Sequence, residues 1–422
     1  MTRLAVYKDE GNCSYNSSLF LFTLIFPKML YSQKLSQNAR AKKDNVTYLN
    51  IMVVGMSEFG KTSFIRTFCE ALKQDMIQGT YKESKHKALK GPVQLTEELY
   101  TISMQIEQDG KRIALTFIDT PGLTSSPTVA DQLKYITKYV DHQFARTLAE
   151  ESKVRRDAKA LDTHIHACLY FMGTSCIQGL TDVDRFILKV LSARTNVIPI
   201  IAKADTLTSA QTEKLKKTIK KDLFDTYRIP VYGYIEEEND GDDDGGDDDD
   251  DDSVSEEENS YLSRTINFLM ECVEEDKDED AHAMLEYLHA MPFTVIGYEE
   301  DPESGRPIQL LPGEANSQPS SAVSLTDPGY YSESIGSIGS SEISPNSSKS
   351  SIVSHGMGST KHLLGRRYPW GVVDCYNPSH CDFLLIKKVL LKTHREMLKI
   401  DTFECFYEKY RTQQLMEKPS SV

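Results

Sequence analysis

Residues 55–63, Gly-Met-Ser-Glu-Phe-Gly-Lys-Thr-Ser, fit the spacing G-x-x-x-x-G-K-[ST] and lie between two segments of different periodicity. Before them, residues 48–54 (Tyr-Leu-Asn-Ile-Met-Val-Val) form an apolar, partly β-branched run that predicts a buried strand. After them, Phe64, Ile65, Phe68 and Leu72 recur at helical spacing. A glycine loop that hands a strand over to a helix gathers backbone N–H groups at the helix start, where the helix dipole also favours an anion. Gly60 then permits close approach of backbone to phosphate. Lys61 reaches the terminal phosphates, and Thr62 offers a hydroxyl to Mg²⁺. Gly55, Ser57 and Ser63 complete the candidate phosphate cradle.

Two later segments extend this reading. Residues 113–118 are a second strand candidate ending at Asp119-Thr120-Pro121-Gly122, a D-x-x-G arrangement. Asp119 is placed to hold Mg²⁺ through a water, and the Gly122 amide to sense a γ-phosphate. The third segment, Ile200-Ile201-Ala202-Lys203-Ala204-Asp205, again follows a buried run. A carboxylate at Asp205 can accept from guanine N1 and N2, donors that adenine lacks, while the Lys203 stem lies over the base plane. Ala202 stands where many GTPases carry asparagine. The order of the three segments still favours GTP over ATP, and a P-loop kinase would need a catalytic base and lid arginines not found here.

Further strand candidates are 167–172, 197–202 and 293–296, and the alternation in 101–106 followed by Asp109-Gly110 predicts a hairpin into 113–118. The expected architecture is α/β: a three-layer α/β/α P-loop fold with a mostly parallel sheet and an antiparallel edge. At 422 residues the chain reads as one globular domain, 45–415, between an extension at 1–44 and a short tail at 416–422. Two stretches have little to bury: the acidic run 236–258 and the Ser-, Gly- and Pro-rich 299–362. Much of the net charge of −15 sits in the acidic run, so it says little about partners. Eight cysteines without metal-like spacing suit reduced thiols. The apolar run 19–26 is too short to span a bilayer as a helix.

Together these motifs resemble the septin family over about residues 45–415. Residues 168–171 (Cys-Leu-Tyr-Phe), 200–208 (Ile-Ile-Ala-Lys-Ala-Asp-Thr-Leu-Thr) and 292–297 (Pro-Phe-Thr-Val-Ile-Gly) share in the resemblance. The most specific part is 365–373, Gly-Arg-Arg-Tyr-Pro-Trp-Gly-Val-Val, which is similar to the septin unique element absent from small GTPases. The resemblance implies GTP or GDP with Mg²⁺ as cofactors, Gly297 and Arg366 at the guanine, and Trp370 at the subunit interface that buries the nucleotide. A core position is the alternative for Trp370. It further implies hetero-oligomers and filaments with other septins, a cytoplasmic, cytoskeletal location at the cell cortex or division site, and no nucleic-acid partner. For a fungal, sporulation-type member the sites would be the bud neck, septum or prospore membrane. Peripheral membrane contact would fall to the basic cluster Arg40, Lys42 and Lys43.

The chain departs from the family at Glu58-Phe59, at Leu123-Thr124-Ser125, and at Gln178, where many septins have an interface histidine. Small GTPases orient the attacking water with a glutamine where this chain has Leu123, so hydrolysis is expected to be slow or absent. Thr96 falls where active septins carry a switch threonine and is the candidate catalytic residue. The competing reading is a monomeric regulatory GTPase cycling between GTP and GDP states.

Overall fold

The structure, a computed structural model, describes residues 46–84, 96–124, 128–155, 161–174, 178–235, 260–308 and 364–417. The basic cluster at residues 40–43, the acidic run and the serine-rich stretch from residue 309 lie outside the described residues.

The apolar runs become β1 (Thr47–Gly55), β4 (Lys111–Asp119), β5 (Ala167–Met172), β6 (Val197–Ile201) and β7 (Phe293–Thr294), with β2 (Lys82–Glu83) and β3 (Tyr100–Gln108) at the other side. They form a seven-stranded sheet in the order β2-β3-β4-β1-β5-β6-β7. From β4 to β7 every neighbouring pair is parallel, and β3 and β2 add the antiparallel edge. Each residue of β5 and β6 is buried, as a parallel sheet covered on both faces requires. By contrast β3 buries Tyr100, Ile102, Met104 and Ile106 in alternation, and its turn into β4 is made by Asp109 and Gly110 at φ 50° and 71°. The strand expected over 293–296 pairs only at Phe293 and Thr294. Val295 still donates to Ile201 O at 3.0 Å before the chain turns into the site.

The flanking helices are α1 (Lys61–Ala71), α2 (Val129–Glu151), α3 (Asp182–Ser192), α4 (Ser209–Lys221), α5 (Tyr261–Asp276), α6 (Glu279–Ala290), α7 (Phe383–Lys388), α8 (Arg395–Asp401) and α9 (Glu408–Glu417). Phe64 and Phe68 of α1 meet Phe171, Phe117 and Phe383 edge-on, with ring centroids 5.2 to 6.2 Å apart. One aromatic cluster therefore joins the helix after the glycine loop to β4, β5 and α7. The amphipathic stretch 383–398 is helical but not continuous. A π-helical turn, Val389–Thr393, separates α7 from α8, and His394 at φ −106° breaks the run. The His394 ring accounts for the break: it is buried between the Tyr232 hydroxyl at 3.0 Å and the Ala283 carbonyl at 3.1 Å.

Residues 365–374 form a separate antiparallel pair, β8 (Gly365–Tyr368) with β9 (Gly371–Asp374). A Cβ on Gly365 would stand 2.1 Å from the Val373 carbonyl, so the pair closes only on glycine. Of the stretch 299–362, residues 299–308 form a tight hairpin in which Ile308 N donates to Glu299 O at 3.0 Å. Glu299 N in turn donates to Gly365 O at 2.8 Å, which brings the two ends of the stretch together. Met416 and Glu417, read as tail, belong to α9. No helix of the described residues is long and apolar enough to cross a membrane.

Candidate nucleotide site

At the carboxyl end of β1 the chain leaves the sheet beside β5, and a Cβ on Gly55 would sit 2.6 Å from the Phe171 carbonyl. Gly60, at φ 77°, opens α1. No side chain caps this helix and its first turn carries no acidic residue, so the initial N–H groups keep their anion-binding capacity. Lys61 is buried, and its ammonium donates to Gly55 O at 3.0 Å and Met56 O at 2.8 Å, folding over the loop it belongs to. Burial pulls the ammonium down to about 8 against the opposing charge of Asp119.

A pH dependence follows. Below about 8 Lys61 is already charged, and above it nucleotide binding must protonate it first. The dissociation constant for GDP should therefore rise above pH 8 by up to about tenfold per pH unit, with proton uptake on binding. Lys61→Arg, always charged, should lose this dependence. Calorimetry in buffers of differing ionisation enthalpy reads both.

One loop residue is strained. Glu58 is exposed and takes φ 67°, a left-handed conformation that costs a non-glycine residue about 1–2 kcal/mol. Its carboxylate also lies on the loop meant for phosphates. Glu58→Gly is expected to stabilise the fold by about 1 kcal/mol and to tighten nucleotide binding, read by thermal melts and equilibrium dialysis. The neighbouring Phe59 packs its ring against Gly173, where a Cβ would come within 2.7 Å of it.

Beside the loop, Asp119 is fully buried at the end of β4. Its Oδ2 accepts from Thr62 Oγ1 at 2.6 Å and from Thr96 Oγ1 at 3.3 Å, and the two hydroxyls are 3.2 Å apart. Asp119 Oδ1 is buried with no hydrogen-bond partner. Burial pushes this carboxyl up, opposed by hydrogen bonds from Thr62 and Tyr100 and by the charge of Lys61. An orphaned carboxylate oxygen next to two hydroxyls is a fitting environment for a hard, oxygen-seeking cation, which would remove the penalty of leaving it unpaired. Gly122 presses on the loop so closely that a Cβ would meet the Ser57 Cα at 2.6 Å. The Ser57 N–H is spent on the Leu123 carbonyl at 2.9 Å, and Leu123 N donates back to Gly55 O at 3.1 Å.

A second cluster of the residues read from the sequence lies beside Ser63 of α1. Gly297 packs against Ser63, 2.9 Å from a built Cβ to the serine Cβ. Ala204 N donates to Val295 O at 3.2 Å, which locks the segment after β6 to the segment after β7. Lys203 is exposed at φ 54°, and the adjacent Asp205 side chain is only 7% exposed. Asp205 Oδ2 accepts a hydrogen bond from the Tyr368 hydroxyl and lies 3.8 Å from Arg366 Nε. The Tyr368 ring stacks on Trp370, with centroids 4.7 Å apart and planes 9° from parallel. Trp370 is 69% exposed, so it is no core residue.

The family model described as Septin matches residues 45–257 and 346–422. The chain belongs to the septin family. Cell division control protein 11 of Saccharomyces cerevisiae is 28% identical over 373 residues, 88% of this chain and 67% of that protein. Septin homolog spn3 of Schizosaccharomyces pombe is 27% identical, covering 87% and 73%. Septin-5 of Homo sapiens is 26% identical, covering 88% and 74%. The solved Septin GTPase domain from Chlamydomonas reinhardtii matches with a TM-score of 0.50 at 17% identity, over 87% of this chain and 99% of that one, a likeness of fold. This septin is thus a GTP-binding cytoskeletal protein of a family that assembles into hetero-oligomers.

In this septin, Thr62 and Thr96 meet at Asp119 beside Lys61, Arg366 and Tyr368 meet at Asp205, and Gly297 packs on Ser63 of α1. Sequence reasoning missed three participants. Tyr100 faces Asp119 across the β3–β4 pair, and Tyr368 holds Asp205. Leu123, read only as a missing glutamine, is also the backbone clamp on the phosphate loop. The strand register would have flagged Tyr100. No local signal pointed from Tyr368 to Asp205.

Proposed function

We propose that this septin holds a guanine nucleotide with Mg²⁺ inside a subunit contact of a septin hetero-oligomer or filament, and that it hydrolyses GTP slowly or not at all. Gly55, Gly60, Lys61, Thr62, Ser63 and Gly122 would hold the phosphates, with Ser57 supporting the loop through Gly122. Thr62 and Asp119 would hold the cation. Asp205, Lys203, Gly297 and Arg366 would take the base. The observation that carries the reading is the exposed Trp370, stacked on the residue that hydrogen-bonds the base-selecting carboxylate. An exposed tryptophan tied through Tyr368 to a nearly buried carboxylate suits an anchor covered by another subunit rather than a monomeric switch.

Slow hydrolysis is supported at residue 123. The Leu123 side chain is 1% exposed and its backbone is committed to the phosphate loop, so nothing at this position can orient water. Thr96 is the hydroxyl left to do so. Assembly with other septins at the cell cortex or division site would follow from the family, with the cluster at residues 40–43 as the lipid contact.

The test is to co-express the chain with a septin partner, then analyse size and bound nucleotide together. Recovery of GDP or GTP in an oligomer is expected; a nucleotide-free monomer sinks the reading. Trp370→Ala should weaken assembly by about 2–4 kcal/mol, measured by sedimentation, with an unchanged circular dichroism spectrum.

A further inference from the structure

Tyr368 is not among the residues assigned to the base above, yet its hydroxyl and ring connect Asp205 to Trp370. Its hydroxyl donates to Asp205 Oδ2, and its ring lies flat on Trp370 at 4.7 Å. A carboxylate offers about four acceptor positions, so Asp205 can keep the tyrosine bond while accepting from guanine N1 and N2. We propose that Tyr368 is a positioning residue for guanine, holding the Asp205 carboxylate in place and linking it mechanically to the exposed Trp370. The inference rests on the nucleotide reading above and adds a second role to the β8–β9 pair: cover over Trp370 is felt at the base, and the base is felt at Trp370.

Three features of the chain support this. The ends of the link are separated by chemistry, since Asp205 is almost buried whereas Trp370 is mostly exposed. The stack leaves Tyr368 little freedom to move independently of Trp370. Burial, followed by the bond to Asp205, pushes the phenol up to about 12, so the hydroxyl remains a donor at any physiological pH. Arg366, 3.8 Å from the same oxygen and exposed by 42%, adds charge but not a close bond.

Trp370 is the chain's one tryptophan, which makes its emission a reporter of this corner alone. The experiment titrates the full chain with GDP and Mg²⁺ while following tryptophan emission, with binding measured independently by equilibrium dialysis. In the wild type, emission should change saturably with GDP and not with ADP. Tyr368→Phe keeps the stacked ring and removes the hydroxyl. It should bind GDP about tenfold more weakly, show a narrowed preference over inosine diphosphate, which lacks the 2-amino group, and lose the emission response. Trp370→Ala keeps the hydroxyl but removes its support, and should weaken GDP by about threefold. Equal GDP affinity and an equal emission response in wild type and Y368F overturn the role of Tyr368. Unchanged affinity in W370A overturns the link to Trp370. Absence of GDP binding by the wild-type chain overturns instead the nucleotide reading on which the inference rests.

Discussion

Asp205→Asn is expected to lower affinity for GDP on the order of a thousandfold and to create affinity for xanthosine diphosphate. The carboxylate would accept two hydrogen bonds from guanine N1 and N2, each worth about 1.5–3 kcal/mol when the acceptor is charged. Their sum corresponds to a factor of roughly 10²–10⁴. An asparagine keeps one acceptor but turns an NH₂ group toward the guanine amine, donor against donor. Xanthine carries a carbonyl there, so the same NH₂ finds an acceptor. The asparagine oxygen can still accept from Tyr368, which keeps the corner folded. Equilibrium dialysis with both nucleotides reads the exchange. GDP bound equally by wild type and variant would remove Asp205 from the base site.

The second large effect is on stability. Phe383→Ala should cost about 3–5 kcal/mol, a fifth or more of the margin by which a typical domain is stable. Phe383 is fully buried and its ring meets Phe64, Phe68 and Tyr376 at centroid distances of 6.2, 5.9 and 6.0 Å. It lies more than 300 residues from Phe64 in the chain yet supports the helix that begins with Lys61. The cavity would lie under α1, so nucleotide affinity should fall along with the urea midpoint. A midpoint shift without loss of affinity would show that the aromatic cluster supports the fold and leaves the phosphate loop untouched.

These two substitutions mark how far the sequence could be read. Local rules sufficed for the strand–loop–helix around Lys61, the hairpin at Asp109-Gly110, and the placement of Asp119 and Asp205 just past buried runs. Each depends on residues close in the chain: β-branched apolar runs, glycines at positive φ, and periodicity that states which face is covered. A periodic pattern reports that a face is buried and does not report what buries it. The broken helix over 383–398 illustrates this, because the break at His394 answers to Tyr232 and Ala283, partners supplied by other elements.

What the sequence alone determined is the inventory of parts: a glycine loop between a strand and a helix, carboxylates at Asp119 and Asp205 at the ends of buried runs, and a tryptophan element that is similar to that of the septin family. What only the tertiary structure decided is how these meet. Thr96 joins Thr62 at Asp119 because the segment before β3 is carried to the end of β4. Tyr368 reaches Asp205 across 163 residues because the β8–β9 pair is anchored through Glu299. A side-chain hydrogen bond is decided within tenths of an ångström by the packing of every element that carries its two ends, and no short window of sequence contains that information.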